Sequence, residues 1–125
     1  MSNLIYNPAV HELSITESIL STSIKYAEEQ KARLVTDIYL IIGDLSSIVD
    51  ESIQFYWDMV SIGTICEKAR LHFNHIKAEI ECQNCNKRYL LEHDLEPCPH
   101  CSSMNIKIIS GDEFQMESIE IEKEP

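Results

Sequence analysis

Two C-x2-C pairs constrain this chain more than anything else in it. Cys82 and Cys85 form the first, Cys98 and Cys101 the second, and twelve residues separate them. Together they use four of the five cysteines. A disulfide framework does not cluster thiols in this way in a chain of cytosolic character. Zinc does, because four thiolates at about 2.3 Å complete its tetrahedron and leave no open position. Each C-x2-C turn supplies one edge of that tetrahedron, and Pro97 and Pro99 stiffen the second turn. Lys87, Arg88 and Lys107 bring positive charge near the anionic cluster. The segment is poor in apolar residues, so the metal supplies its folding energy. The spacing therefore assigns Cys82, Cys85, Cys98 and Cys101 to one structural zinc ion.

Two other chemistries share parts of this pattern. A redox dithiol needs only one C-x2-C and a thioredoxin-like setting. A zinc deaminase carries P-C-x-x-C, which Pro97 to Cys101 match. Its H-x-E half is missing, because Glu96 stands three residues after His93. A fourth cysteine would also close the metal to water. His100, inside the second knuckle, reads as exposed, although it could replace a cysteine if pH or metal load changed. Cys66 reads as a small buried hydrophobe. His72 and His75 point to opposite faces of a strand and are poor co-ligands. Phe55, Tyr56 and Trp57 read as core.

The formal net charge is −11, with 10 Lys and Arg against 21 Asp and Glu. Such a chain repels a phosphate backbone, since non-specific nucleic-acid binding rests on basic side chains. The acidity suits a basic partner or a metal cation, and solubility alone explains it equally well. No apolar run reaches the ~18 residues of a membrane helix. No basic region followed by an apolar stretch opens the sequence. A reducing cytoplasm is the expected compartment.

Periodicity orders the rest of the 125 residues. Residues 1–10 show none and read as an extension. Ser14-x-x-Glu17 is a capping-box pattern that would open a helix carrying Ile15, Ile19, Ile24 and Ala27. Leu34 to Ile42 alternates as a strand with both faces covered. Asp50 can cap a second helix, with Ile53, Tyr56, Trp57 and Val60 on one face and Gly63-Thr64 at its end. From Leu71 to Ile80 the alternation changes parity, which calls for a bulge near His75 or for two strands. After the second cysteine pair, Ile106, Ile108, Phe114 and Met116 suggest a hairpin at Gly111-Asp112. The expected fold is α/β (α+β): two helices on a small sheet, with a zinc-ribbon-like domain at 82–105 inserted between 11–81 and 106–125.

Four motifs in the right order now become specific. Val10-His11-Glu12-Leu13-Ser14 resembles the M-H-E-[LM]-S start of the HypA/HybF family of hydrogenase maturation nickel chaperones. Ile42-Gly43-Asp44-Leu45-Ser46-Ser47-Ile48 resembles that family's I-G-x-L-S-x-V. Gly63-Thr64 ahead of Glu67-x-Ala69-x-Leu71 matches as well, and the cysteine pairs have the family's spacing. The similarity runs from His11 to about Glu122.

The resemblance implies a nickel-binding α/β domain at 11–81 and 106–125, around the zinc insert. It implies delivery of Ni(II), with a partner GTPase, to the large subunit of a nickel-iron hydrogenase. No catalytic residue, nucleic acid or membrane is expected. The implied nickel ligands are a terminal amine, the backbone nitrogens of His11 and Glu12, and the His11 imidazole. Such a set is chemically sound, because Ni(II) accepts square-planar nitrogen ligation.

Two positions depart from the family pattern. Val10 stands where the initiating methionine is expected, so a start at position 10 from a GTG codon is one reading. Val49 stands where some members carry an assisting carboxylate, with Asp50 and Glu51 just after it. A zinc-ribbon interaction or nucleic-acid module is the rival function, and the acidity argues against its nucleic-acid form.

Overall fold

The structure is a computed structural model that describes residues 8–92 and 95–123. Its elements are α1 (Pro8–Glu29), β1 (Ala32–Gly43), α2 (Asp50–Val60), β2 (Arg70–Ile76), β3 (Glu79–Cys82), β4 (Arg88–Leu90), β5 (Ile106–Ser110) and β6 (Phe114–Lys123). They form two three-stranded sheets, ordered β2-β1-β6 and β4-β3-β5. The chain divides into two compact units. One holds the described residues up to 40, 48–73 and 116–123; the other holds 41–47 and 74–115. No helix among the described residues is long and apolar enough to cross a membrane.

In the first unit α1 and α2 pack on each other. The buried stripe of α1 is Glu12, Thr16, Ile19, Ser23 and Ala27. These residues recur at three- and four-residue spacing, so they share one helical face. Three of the five are polar, and the apolar periodicity therefore locates only part of this face. Thr16 stays satisfied by donating its hydroxyl to the Glu12 carbonyl at 2.7 Å. From α2, Ile53 and Trp57 are buried, as are Val35, Ile38 and Leu40 of β1. The Trp57 indole N–H donates to the Ala69 carbonyl at 3.3 Å, so the ring is buried without an orphan donor. Cys66 is fully buried, as its reading required. Burial pushes its thiol up to about 11, which leaves it unreactive.

Several expectations are corrected. The helix opens at Pro8, and Ser14 and Glu17 lie inside it. Pro suits a first helical turn, since the N–H it lacks would have no helical acceptor there. The N-cap of α2 is Val49, and Asp50 and Glu51 form its acidic first turn, where negative charge suits the helix dipole. Phe55 is exposed and does not join Trp57 in the core. One face of β1 is buried at Ile38, Leu40 and Ile42, while the other is buried at Val35 and half-buried at Asp37, Tyr39 and Ile41. Asp37 and Tyr39 have polar partners. Asp37 meets His72 Nε2 at 2.7 Å, and the Tyr39 ring stacks on His72 at 4.4 Å. The Tyr39 hydroxyl donates to Glu120 at 2.9 Å. The His72 hydrogen bond holds the Asp37 carboxyl below its ordinary range. His75 approaches a different carboxylate, Asp44, at 3.8 Å.

The parity change after Leu71 proves to be two strands, β2 and β3, in different sheets. The same applies at Gly111-Asp112. β5 pairs with β3, and β6 lies beside β1, so the chain changes sheets there and no β5–β6 hairpin forms.

The second unit has a small apolar core of Ala78, Ile80 and Leu91, with Leu45, Tyr89 and Ile106 packed against it. Its register sets Ile80 opposite both Tyr89 and Ile108. Two glycines permit a close backbone crossing. A Cβ on Gly43 would lie 2.2 Å from the Gly111 carbonyl, and one on Gly111, at φ +101°, would lie 2.3 Å from Ala78 Cα. The Leu45 N–H donates to the Gly111 carbonyl at 2.8 Å across this crossing.

Candidate metal centres

The four-cysteine cluster is built from two similar knuckles. Cys82 ends β3, and its sulfur accepts the Cys85 N–H at 3.5 Å. Its carbonyl accepts the Asn86 N–H at 2.9 Å. At Cys98 the carbonyl likewise accepts the N–H four residues on, from Ser102 at 2.7 Å, and the sulfur accepts the His100 N–H, two residues on, at 3.4 Å. Asn86 and Ser102, the fourth residue after each leading cysteine, have φ of 61° and 64°. A turn that tight around a sulfur needs a left-handed residue, and asparagine tolerates that conformation better than most. The knuckles are tied together by polar side chains that the sequence reading did not single out. Asn84 donates to the Ser103 hydroxyl at 2.7 Å, and Asn105 donates to the Asn84 amide oxygen at 3.4 Å. Asn and Ser beside each cysteine pair were the available signal.

The sulfurs test the fit to zinc directly. All four lie within 4.8 Å of one another. Cys82 and Cys101 are 3.5 Å apart, and Cys85 and Cys98 are 3.7 Å apart. Bonds of about 2.3 Å to a tetrahedral centre require sulfur separations of roughly 3.8 Å. The arrangement fits one zinc ion, and four thiolates leave no open position. Thiols this close cannot ionise independently. The Cys85 N–H, chiefly, pulls the Cys82 thiol down to about 6. At Cys101 the Ser103 N–H acts downward, but the bond to Cys82, burial and the other sulfurs outweigh it and push the thiol up to about 12. A divalent cation at the centre offsets this mutual repulsion. Arg88 does not face the cluster as a counter-charge. It pairs with Glu81 at 3.5 Å and Glu79 at 3.9 Å on the sheet. His100 is exposed, as expected.

His11 and Glu12 lie next to each other on α1 but point differently. His11 is exposed, whereas Glu12 is 3% exposed. The Glu12 carboxylate accepts the Val49 N–H at 2.7 Å. It therefore satisfies the free N–H of the N-cap residue of α2 from another element, while the Val49 side chain makes no cap bond. The Val49 side chain is about half exposed. Glu12→Ala leaves the Val49 N–H without its acceptor and is expected to cost about 1–3 kcal/mol. Glu12→Gln keeps an acceptor and should cost less. Urea unfolding of the two variants checks the order, and equal stability of Glu12→Ala and the parent contradicts the capping role.

A helix that opens at Pro8 also commits backbone groups. The Glu12 amide has the Pro8 carbonyl as its acceptor four residues back. Ligation through backbone nitrogen at this point needs the first turn to open.

Known proteins agree with this architecture. Residues 10–121 match the family described as hydrogenase/urease nickel incorporation, metallochaperone, HypA. The chain belongs to the HypA family. A hydrogenase maturation factor HypA of Dehalococcoides mccartyi is 40% identical over 115 residues, 92% of this chain and 97% of the relative. That of Caldanaerobacter subterraneus is 34% identical over 114 residues, 90% of this chain and all of the relative. The solution structure of the Ni metallochaperone HypA from Helicobacter pylori shares the fold, with a TM-score of 0.64 at 23% identity, over 90% of this chain and 98% of that one. A second solution structure of a HypA protein has a TM-score of 0.70 at 24% identity, over 92% and 98%. Membership of HypA makes the chain a nickel metallochaperone of hydrogenase maturation. Its metals are a structural zinc, which the four cysteines fit, and nickel as cargo.

Proposed function

We propose that this chain carries Ni(II) at His11, with the backbone nitrogens of residues 11 and 12, and keeps zinc at Cys82, Cys85, Cys98 and Cys101 for structure alone. The observation that carries the nickel reading is the placement of His11. It is exposed one residue into the family match, and the Glu12 beside it is turned inward onto α2. An imidazole in solvent at the start of a helix can take up a cation and give it back. A buried cage would hold the metal too long for a carrier. The chain acts without catalysing a reaction. In the cytoplasm, with a partner GTPase, it hands nickel to the large subunit of a nickel-iron hydrogenase.

The test is made in a host that depends on this chain for hydrogenase. His11→Ala is expected to lower hydrogenase activity several-fold and to let excess nickel restore part of it, while Cys98→Ala is not rescued by nickel. Full activity with His11→Ala at limiting nickel would exclude this site.

A further inference from the structure

The outward face of α2 is apolar where a surface helix is ordinarily polar. Ile53 and Trp57 fill the core side of this helix and are fully buried. The opposite side bears Phe55, 61% exposed, and Met59, 50% exposed. Ile62, just past the Ser61 C-cap, is 66% exposed. Positions 55, 59 and 62 follow the i, i+4, i+7 spacing of one helical stripe. Scattered exposed hydrophobes need no explanation, but three large ones in a row on one face do. Phe55 is held in place by its edge contact with Tyr56, with ring centroids 5.4 Å apart.

The charge around the stripe tells what fits it. Glu51 and Asp58, both exposed, fall together along one edge of the stripe by helical angle, and Gln54 donates to Asp58 at 2.9 Å. The last turn of α2 carries no basic residue to offset its carbonyl end beside Ile62. A second copy of this chain is a poor occupant. An antiparallel two-fold pairing of α2 with itself sets Glu51 and Asp58 of both copies along the same edge. The net charge of −11 adds to that repulsion.

We propose that Phe55, Met59 and Ile62 form the docking surface for an amphipathic helix of a partner protein, whose own apolar stripe is edged by Lys and Arg. The partner's apolar side chains cover the three residues. Its basic side chains meet Glu51 and Asp58 and cap the carbonyl end of α2. The mode is that of one helix laid along another through i, i+4, i+7 anchors.

The test uses the full zinc-loaded chain. The probe is a synthetic helical peptide with a Leu stripe edged by Lys, compared with one edged by Glu. The Lys peptide is expected to bind and to shift the backbone amide signals of residues 52–62. The Phe55→Ser/Met59→Ser double variant should bind it at least about tenfold more weakly, whereas Phe55→Leu/Met59→Leu should keep binding. Glu51→Gln/Asp58→Asn should bind more weakly and with a smaller dependence on salt. Because these side chains are exposed, circular dichroism of every variant should match the parent. Binding that the double Ser variant leaves unchanged reflects general charge attraction and overturns the proposal. Equal binding of the Glu peptide overturns it as well. A sedimentation dimer of the parent that the double Ser variant abolishes gives the face to a second copy, and so also overturns it.

Discussion

Cys98→Ala is expected to lose its zinc and to unfold the unit of residues 41–47 and 74–115, while the signal of α1 and α2 largely persists. The apolar core of that unit is Ala78, Ile80 and Leu91, with three partly buried neighbours. A core of that size cannot offset the entropy of ordering its loops, at about 1–2 kcal/mol per residue. Structural zinc supplies on the order of 10 kcal/mol at neutral pH, and in such small domains binding and folding are one equilibrium. Cys98 is buried, and its sulfur and carbonyl organise the second knuckle through His100 and Ser102. Removal of the sulfur therefore takes away a metal ligand and the turn it shapes. The helices have their own support in Ile19, Ala27, Ile53 and Trp57. Far-UV circular dichroism, amide signals of Ala78 and Ile80, and zinc per chain are the measurements. One zinc per chain with an intact β4-β3-β5 sheet in Cys98→Ala contradicts the four-thiolate centre.

The second large effect concerns the start of α1. A chain opened at residue 10, with methionine for Val10, is expected to bind Ni(II) roughly tenfold to a hundredfold more tightly than residues 1–125. Two physical changes act together. The nitrogen of residue 10 becomes an amine with a pKa of about 8, able to donate a lone pair near neutral pH. In the longer chain that nitrogen belongs to a peptide bond, and its lone pair is delocalised. The shorter chain also lacks the carbonyl of Pro8. The first four N–H groups of a helix have no acceptor within it, so the Glu12 N–H is released from its helical bond. Amine, backbone nitrogen and imidazole can then meet nickel in a square plane without unwinding a turn. Titration of both chains with Ni(II), with absorption spectra, measures the effect. Equal affinities and equal spectra speak for a side-chain site centred on His11, without the amine.

What the sequence revealed depends on how far apart the interacting residues lie. The zinc cluster was readable because tetrahedral ligation demands two C-x2-C turns, and each turn is a local pattern. The existence of both helices was readable too, since apolar spacing is local. The inward face of α1 was not, because Glu12 is buried by a bond to Val49, 37 positions away. No periodicity of α1 reports that partner. Nor does local patterning report that the free N–H of the α2 N-cap, Val49, finds its acceptor on α1. The junction at Gly111 looked like a hairpin because turn residues between alternating segments fit either a hairpin or a change of sheet. Only the pairing of β5 with β3 tells these apart. Asn84, Ser103 and Asn105 escaped notice because their roles appear only once the two knuckles face each other.

The most direct measurement is a Ni(II) titration of the parent chain and of His11→Ala, with zinc counted in both. One tight nickel site is expected in the parent, its loss in His11→Ala, and one zinc per chain in each, since the two sites share no ligand. A His11→Ala chain that titrates nickel like the parent, or that loses zinc together with nickel, contradicts separate nickel and zinc sites with His11 as nickel ligand.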